Sequence, residues 1–255
     1  MQHTDSIPAG WSPAAGYLAD RVILITGAAD GIGRSLARRC AGLGATAILL
    51  DRNVRGMESL YDEILADKAP EPAIYPMDLK GATPADYDVL AETLLREFGR
   101  LDGLVHNAAV LGTLTPLSQY DDELWFENLQ TNLNAPYLLT RNCLDLLGRA
   151  DDASILFMAD SVGRHGKAYW GAYGVAKAGI ENMAQVLADE LEDNSRIRVN
   201  TYDPGPVRTA LRLIAYPAEN RDALPLPGDV IPTCLYLLGP DSKGVSGRQF
   251  APDVS

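Results

Sequence analysis

The chain has 255 residues, 47% of them apolar, and a formal net charge of −12 at pH 7. That length allows one large α/β domain with a substantial core. The acidic balance argues against nucleic-acid phosphate or an anionic membrane as a partner, because both reward clustered Lys and Arg, and a small molecule is the expected ligand. Apolar runs such as 22–25 and 47–50 fall far short of the roughly 20 residues that span a bilayer. The first 20 residues lack the basic start and apolar run of a secretory signal, so the expected location is the cytoplasm. Cys40, Cys143 and Cys234 lie far apart with no C-x-x-C pair or clustered His; buried thiols are expected, and no metal site.

In chain order, residues 1–17 read as a surface-hugging N-terminal arm containing Pro, Gly and Ser. Short apolar runs then alternate with segments of helical period. Strands are predicted at 21–26, 46–50, 73–76, 102–106, 153–158, 197–201 and 248–251, and helices at 32–43, 53–67, 84–98, 121–147, 171–192 and 229–238. Continuous apolar character at 22–25, 47–50 and 155–158 suits strands covered on both faces. No linker or repeat divides 1–255, which predicts a single-domain α/β Rossmann fold: a doubly wound seven-stranded parallel sheet with helices on both faces. The irregular stretch 204–227, with its Pro, Gly and Arg content after a strand end, suits a mobile flap over a substrate.

Directly after the first strand comes Thr26-Gly27-Ala28-Ala29-Asp30-Gly31-Ile32-Gly33, running into a helix. Glycines at such a place let the backbone turn sharply and approach a pyrophosphate, with free helix N–H groups facing the anion. Asp51 closes the next strand, about 20 residues on, where an acid binds ribose hydroxyls and repels the extra phosphate of NADP; the neighbouring Arg52 attracts that phosphate. NAD is the expected cofactor and NADP the alternative.

The spacing Thr-Gly-x-x-x-Gly-x-Gly resembles that of short-chain dehydrogenases/reductases, and four later motifs match in order. These are His106-Asn107-Ala108-Ala109, Asn132 within Thr131-Asn132-Leu133-Asn134, Tyr173-Gly174-Val175-Ala176-Lys177, and Asp203-Pro204-Gly205-Pro206-Val207-Arg208-Thr209. The resemblance covers roughly residues 18–252. Within the family, Ser161-Val162-Gly163-Arg164 and Gln185-Val186-Leu187-Ala188-Asp189-Glu190 resemble the YciK-type bacterial oxidoreductases. The likeness implies hydride transfer between a nicotinamide cofactor and a carbonyl or alcohol substrate, with Tyr173 as acid/base, Lys177 beside it and Asn132 holding a water of a proton relay. It also places Asp78 and Leu79 at the adenine, Asn107 and Ala108 beside the cofactor, and Pro204, Gly205, Val207 and Thr209 at the nicotinamide end. A homodimer or homotetramer is implied, with spare apolar helix surface at positions such as Leu187 and Leu191.

The chemistry needs a proton donor at the carbonyl oxygen. Lys177, four residues beyond Tyr173 on one helix face, is expected to favour the phenolate. One departure matters: the family's serine, thirteen residues before the tyrosine and three before a glycine, is here Asp160, with Ser161 next to it. Three readings follow: Asp160 donates as a neutral acid, Ser161 turns into the site, or turnover is lost and the protein only binds NAD(H). His106 is expected to pack rather than react. Leu111, Leu114, Trp170, Leu211 and Leu213, with His165 and Tyr169, are candidate pocket lining, and Arg164, Arg208 and Arg212 candidate partners of a substrate carboxylate.

Overall fold

The computed structural model describes residues 4–193 and 195–252. After the arm come β1 (Val22–Thr26), α1 (Gly31–Gly42), β2 (Thr46–Asp51), α2 (Val54–Ala66), β3 (Ala73–Pro76), α3 (Pro84–Phe98) and β4 (Gly103–His106). The second half runs α4 (Asp122–Leu129), α5 (Ala135–Gly148), β5 (Ala153–Met158), α6 (Ser161–Arg164), α7 (Gly171–Leu191), β6 (Ile197–Tyr202), α8 (Ala210–Ala215), α9 (Pro227–Leu238) and β7 (Gln249–Phe250). The seven strands pair in parallel in the order β3-β2-β1-β4-β5-β6-β7. This is the single-domain, doubly wound α/β architecture that the alternation predicts.

Side chains alternate across the sheet with the period of two that a strand imposes. Ile23 and Ile25 pack with Leu36 and Cys40 of α1, Met57 and Leu60 of α2, and Cys234 and Leu238 of α9. Leu24 points the other way, onto Tyr87 and Leu94 of α3, Leu139 and Cys143 of α5, and Ile180 of α7. Each fully buried Leu or Ile here contributes about 2 kcal/mol. The three cysteines are buried and free. Because β2 and β4 flank β1 on opposite sides, the chain leaves the sheet centre in two directions. A crevice opens there at the carboxyl ends of β1 and β4, which is where such sheets bind ligands.

Local signals set the helix starts. Asp30 and Asn53 cap α1 and α2 through their side chains, and Thr83, Pro84 and Asp86 open α3. The described part of the arm docks at the sheet edge: Asp5 N donates to Gln249 O at 2.8 Å, and Trp11 lies edge-on to Tyr17 and Tyr236 and donates to Asp241 at 2.7 Å. Residues 1–3 of the expected arm lie outside the described residues.

Three features differ from expectation. The helix expected over 121–147 is α4 and α5 joined by a π-helical turn, Gln130–Asn134, and Asn132 sits in that turn. The short helices α6 and α8 were not expected, because four and six residues are too few to show a periodicity. Leu187 is buried and Leu191 packs against the same cluster, so neither is spare surface; Leu124, Phe126, Tyr137, Val175 and Val186 are the exposed large apolar residues of α4, α5 and α7.

Candidate active site

A cavity of about 740 Å³ fills the crevice, lined by the β1–α1 turn, the ends of β2, β4 and β5, α7 and the segment after β6. At one end the glycine-rich turn is backbone only. Gly27 and Gly31 have φ of 68° and 56°, in the left-handed region. A Cβ on Gly33 would stand 2.2 Å from Gly27 O, so only glycine lets α1 approach β1 this closely. Asn107 secures the turn from below, its Nδ2 donating to Thr26 O at 3.0 Å and to Gly27 O at 3.2 Å. Thr26 Oγ1 accepts from the N–H groups of Asn107 and Ala108, each at 3.0 Å. The Asp30 carboxylate caps α1 by accepting from Gly31 N at 2.7 Å.

The Asp51 carboxylate is fixed at the tip of β2: Oδ2 accepts from Ala29 N at 3.2 Å and Oδ1 from Asn53 N at 2.9 Å. Arg52 beside it is exposed and lines the cavity, and its side chain has no hydrogen-bond or ion-pair partner among the described residues. Asp78, accepting from Lys80 N at 3.1 Å, and buried Leu79 line the same end. Glycines that a Cβ would clash with, a helix start facing the cavity and an acid at the tip of β2 together fit a dinucleotide.

Tyr173 and Lys177 stand at the other end on successive turns of α7, each only 5% exposed. Tyr173 Oη donates to Asp160 Oδ2 at 3.2 Å. Lys177 Nζ donates to Met158 O at 2.6 Å and lies 5.5 Å from the Tyr173 ring centroid. Burial, then the charge and hydrogen bond of Asp160, then the charge of Asp203, hold the Tyr173 phenol well above its ordinary value. Burial pushes the Lys177 ammonium down, against the opposing pull of Asp160, Asp203 and Glu181. The Lys177 ammonium thus lies near the phenol as expected, but it is turned to a backbone carbonyl, and the Asp160 carboxylate that accepts the phenolic hydrogen bond opposes it.

Asp160 ends the extended segment after β5 and caps α6, with Oδ1 accepting from Val162 N at 3.1 Å. The chain turns at this point, yet Ser161 is exposed, does not line the cavity and reaches only Asp160 Oδ1, at 3.4 Å. Asp160 therefore occupies the serine position, and the reading that places Ser161 in the site is not met.

Asn132 lies behind the cavity wall. Its Nδ2 donates to Val110 O and to Asn128 Oδ1, both at 2.7 Å, and its Oδ1 accepts from Val110 N at 2.9 Å. Both amide protons are used, so the side chain clamps the segment after β4. Pro204, Gly205, Val207 and Thr209 line the cavity as the resemblance implies.

Sequence reasoning left one buried ionic group out of the site. Arg164 Nε donates to Glu181 Oε1 at 2.9 Å, Arg164 Nη1 lies 4.0 Å from Asp203 Oδ2, and Thr201 Oγ1 donates to Glu181 Oε2 at 3.1 Å. Burial raises Asp203, opposed first by its hydrogen bond from Gly205 N. Glu181 follows Lys177 by four residues, a helical spacing that would have found it. The three arginines weighed as carboxylate partners are all engaged: Arg164 with Glu181, Arg208 with Asp222 at 3.0 Å, and Arg212 with Glu219 at 2.6 Å.

Of the expected pocket lining, Leu111, Trp170 and Leu211 face the cavity and Leu114 packs behind them; Leu213, His165 and Tyr169 do not line it. His106 packs as expected, stacked on Phe157 at 4.6 Å with Nε2 2.8 Å from Thr140 Oγ1.

With this geometry in place, the comparisons decide the family. The short chain dehydrogenase family model matches residues 21–219. The chain belongs to the short-chain dehydrogenase family. It is 41% identical over 240 residues to the uncharacterized oxidoreductase YciK of Escherichia coli K12, covering 94% of each chain. A short chain dehydrogenase structure from Pseudomonas syringae superposes with a TM-score of 0.91 at 45% identity, covering 94% of this chain and 98% of that one. A Shigella flexneri relative complexed with NADP has a TM-score of 0.91 at 41% identity, covering 93% and 99%. The chain is thus an oxidoreductase of this family, acting on alcohol or carbonyl groups. Membership, with Tyr173 and Lys177 both in the cavity, favours this over a nucleotide binder that has lost turnover.

Proposed function

We propose that this dehydrogenase works as a reductase of small or medium carbonyls, with Tyr173 as the proton donor. The observation that carries this reading is the contact between Tyr173 Oη and Asp160 Oδ2 inside the cavity. A carboxylate at that distance accepts the phenolic hydrogen bond and opposes loss of the proton, so Tyr173 rests as a phenol, the form that can act as an acid. A nicotinamide held beside Tyr173 by the segment carrying Pro204, Gly205, Val207 and Thr209 would supply the hydride to the carbonyl carbon. As negative charge develops on the substrate oxygen, Tyr173 passes its proton there, because an alkoxide is far more basic than any phenolate. The Lys177 ammonium, held within the cavity wall by Met158 O, stabilises the negative charge left on Tyr173. Asn132 positions Val110 and the wall that carries it.

For the cofactor we favour NAD(H). The Asp51 carboxylate accepts two backbone hydrogen bonds and cannot swing away, so a 2′-phosphate arriving at the tip of β2 meets a fixed negative charge. Two observations favour NADP(H) instead: the unpartnered Arg52, and the Shigella relative solved with NADP. Gly27, Asp30, Gly31, Ile32 and Gly33 form the pyrophosphate turn in either case. The segment 204–227, which contributes Val207, Leu211 and Ala215 to the cavity, is the substrate flap. Exposed Phe126 and Tyr137 support a homodimer or homotetramer, and three free, buried thiols suit the reducing cytoplasm.

The test is turnover of a panel of ketones, aldehydes and diketones with NADH and with NADPH, in the natural protein and in Asp51→Ala. Reduction with NADH preferred, and the preference lost in Asp51→Ala, supports the reading. A preference for NADPH in the natural protein removes the NAD assignment, and reduction unaffected by loss of Tyr173 removes the mechanism.

A further inference from the structure

Tyr173 sits in a small apolar cluster with Leu111, Val162, Trp170 and Ala215, and Leu211 packs against it. This is the part of the cavity that receives the substrate. Its charged groups are unevenly matched. Asp160 and Asp203 line it as carboxylates, while Lys177 is buried and bonded to Met158 O. Behind the wall, Arg164 is committed to Glu181 and lies 4.0 Å from Asp203. Arg52 and Lys80 line the opposite, cofactor end; at this end the remaining cation on the lining is Arg212, close enough to feel the charge of Asp160. Its charge is already matched: Nε and Nη2 donate to the two oxygens of Glu219 at 2.7 and 2.6 Å, and its carbon lies 3.9 Å over the Tyr216 ring. The Tyr216 hydroxyl in turn accepts from Lys167 Nζ at 2.6 Å.

A bidentate carboxylate on a guanidinium takes one of its two forked edges and neutralises the charge that would draw a substrate carboxylate. We propose that Glu219, by occupying Arg212, makes the substrate end selective for uncharged carbonyl compounds and excludes those bearing a carboxylate. This rests on the reading of the cavity as a carbonyl reductase site and adds the substrate class to it. Glu219 acts through Arg212 and touches no reacting atom; it is a specificity-determining residue. At this end of the cavity, away from Arg52, an anionic substrate finds two carboxylates, an apolar wall and, among the described lining residues, no cation without a partner, so it loses its hydration without gaining a partner.

Matched ketones differing only in charge test this: 4-acetylbenzamide against 4-acetylbenzoate, and the methyl ester of 4-oxopentanoate against the free acid. In the natural protein the neutral member of each pair should have at least about tenfold higher kcat/KM. Glu219→Gln frees Arg212 and should raise kcat/KM for the acids roughly ten- to a hundredfold, narrowing the ratio. Arg212→Gln added to Glu219→Gln should restore it. Acids handled as well as their neutral partners, or a ratio unmoved by Glu219→Gln, overturns the proposal. Calorimetric binding of the same pairs to the NADH-loaded protein separates this outcome from failure of the reductase reading. Binding in the expected order without turnover sinks the reductase and leaves the selectivity standing, whereas no binding of any member sinks the selectivity.

Discussion

Replacing Asp160 by Asn removes a charge and little else. Asn caps a helix about as well as Asp, so α6 keeps its start, and the side chain still reaches Tyr173. In the natural protein the phenol oxygen is 3.2 Å from Asp160 Oδ2. At an effective dielectric of about 20, a phenolate there would be opposed by about 5 kcal/mol; with the cavity open to water and the dielectric nearer about 40, about 2.5 kcal/mol remains. Even the smaller figure corresponds to roughly a hundredfold more phenolate at a given pH once the charge is gone. Tyrosinate ultraviolet absorbance is the assay, titrated in the natural protein and in Asp160→Asn, each as a difference from its own Tyr173→Phe partner. Tyr173 should ionise at distinctly lower pH in Asp160→Asn. Alcohol oxidation, for which the phenolate is the base, should rise near neutral pH, while carbonyl reduction should not. Superimposable titrations would refute the reasoning, because they would mean that Asp160 carries a proton and exerts no repulsion on the phenol.

Gly33→Ala sets a Cβ 2.2 Å from Gly27 O, so α1 must move off β1; NADH binding, followed by fluorescence, should weaken at least about tenfold with a lowered Tm. His106, buried and pushed down to about 3, stays neutral in the fold while the unfolded chain protonates near its ordinary 6.5. Its contribution to stability is therefore complete above about pH 6.5 and is lost progressively as pH falls toward 3. About 2 kcal/mol should go between pH 6.5 and pH 5, read from urea midpoints, and His106→Asn should flatten that part of the profile. Asn132→Ala abandons three buried hydrogen bonds and should cost about 2–4 kcal/mol in thermal unfolding, with a lower kcat as the Val110 segment loosens.

The fold was legible because its signals are local. Ile23, Leu24 and Ile25 are apolar on both faces, so they announce a covered parallel strand, and the glycine turn with Asp51 marks the crevice without any tertiary knowledge. Tyr173, Lys177 and Asp160 could be placed together because helix spacing and motif separation fix two of them and leave the third within reach. How far Asp160 offsets Lys177 at the phenol could not be read this way. It depends on Lys177 finding Met158 O and on the phenol finding Asp160, and a sequence does not state which of two nearby partners a side chain will take. Asn132 shows the same limit: its residue type suggests polar chemistry, while a π turn aims it at Val110. Arg212 looked available for a substrate because Glu219, its partner, lies in an irregular stretch with no periodicity to orient either side chain.

That Tyr173 delivers the proton is tested most directly by carbonyl reduction in Tyr173→Phe, using the best ketone of the panel and protein shown to bind NADH as tightly as the natural chain. The variant keeps the ring within the Trp170 cluster and loses only the hydroxyl. Reduction falling by at least about a thousandfold with cofactor affinity unchanged is the predicted result. Reduction within about tenfold of the natural rate would show that another group supplies the proton, with Asp160 the first to examine.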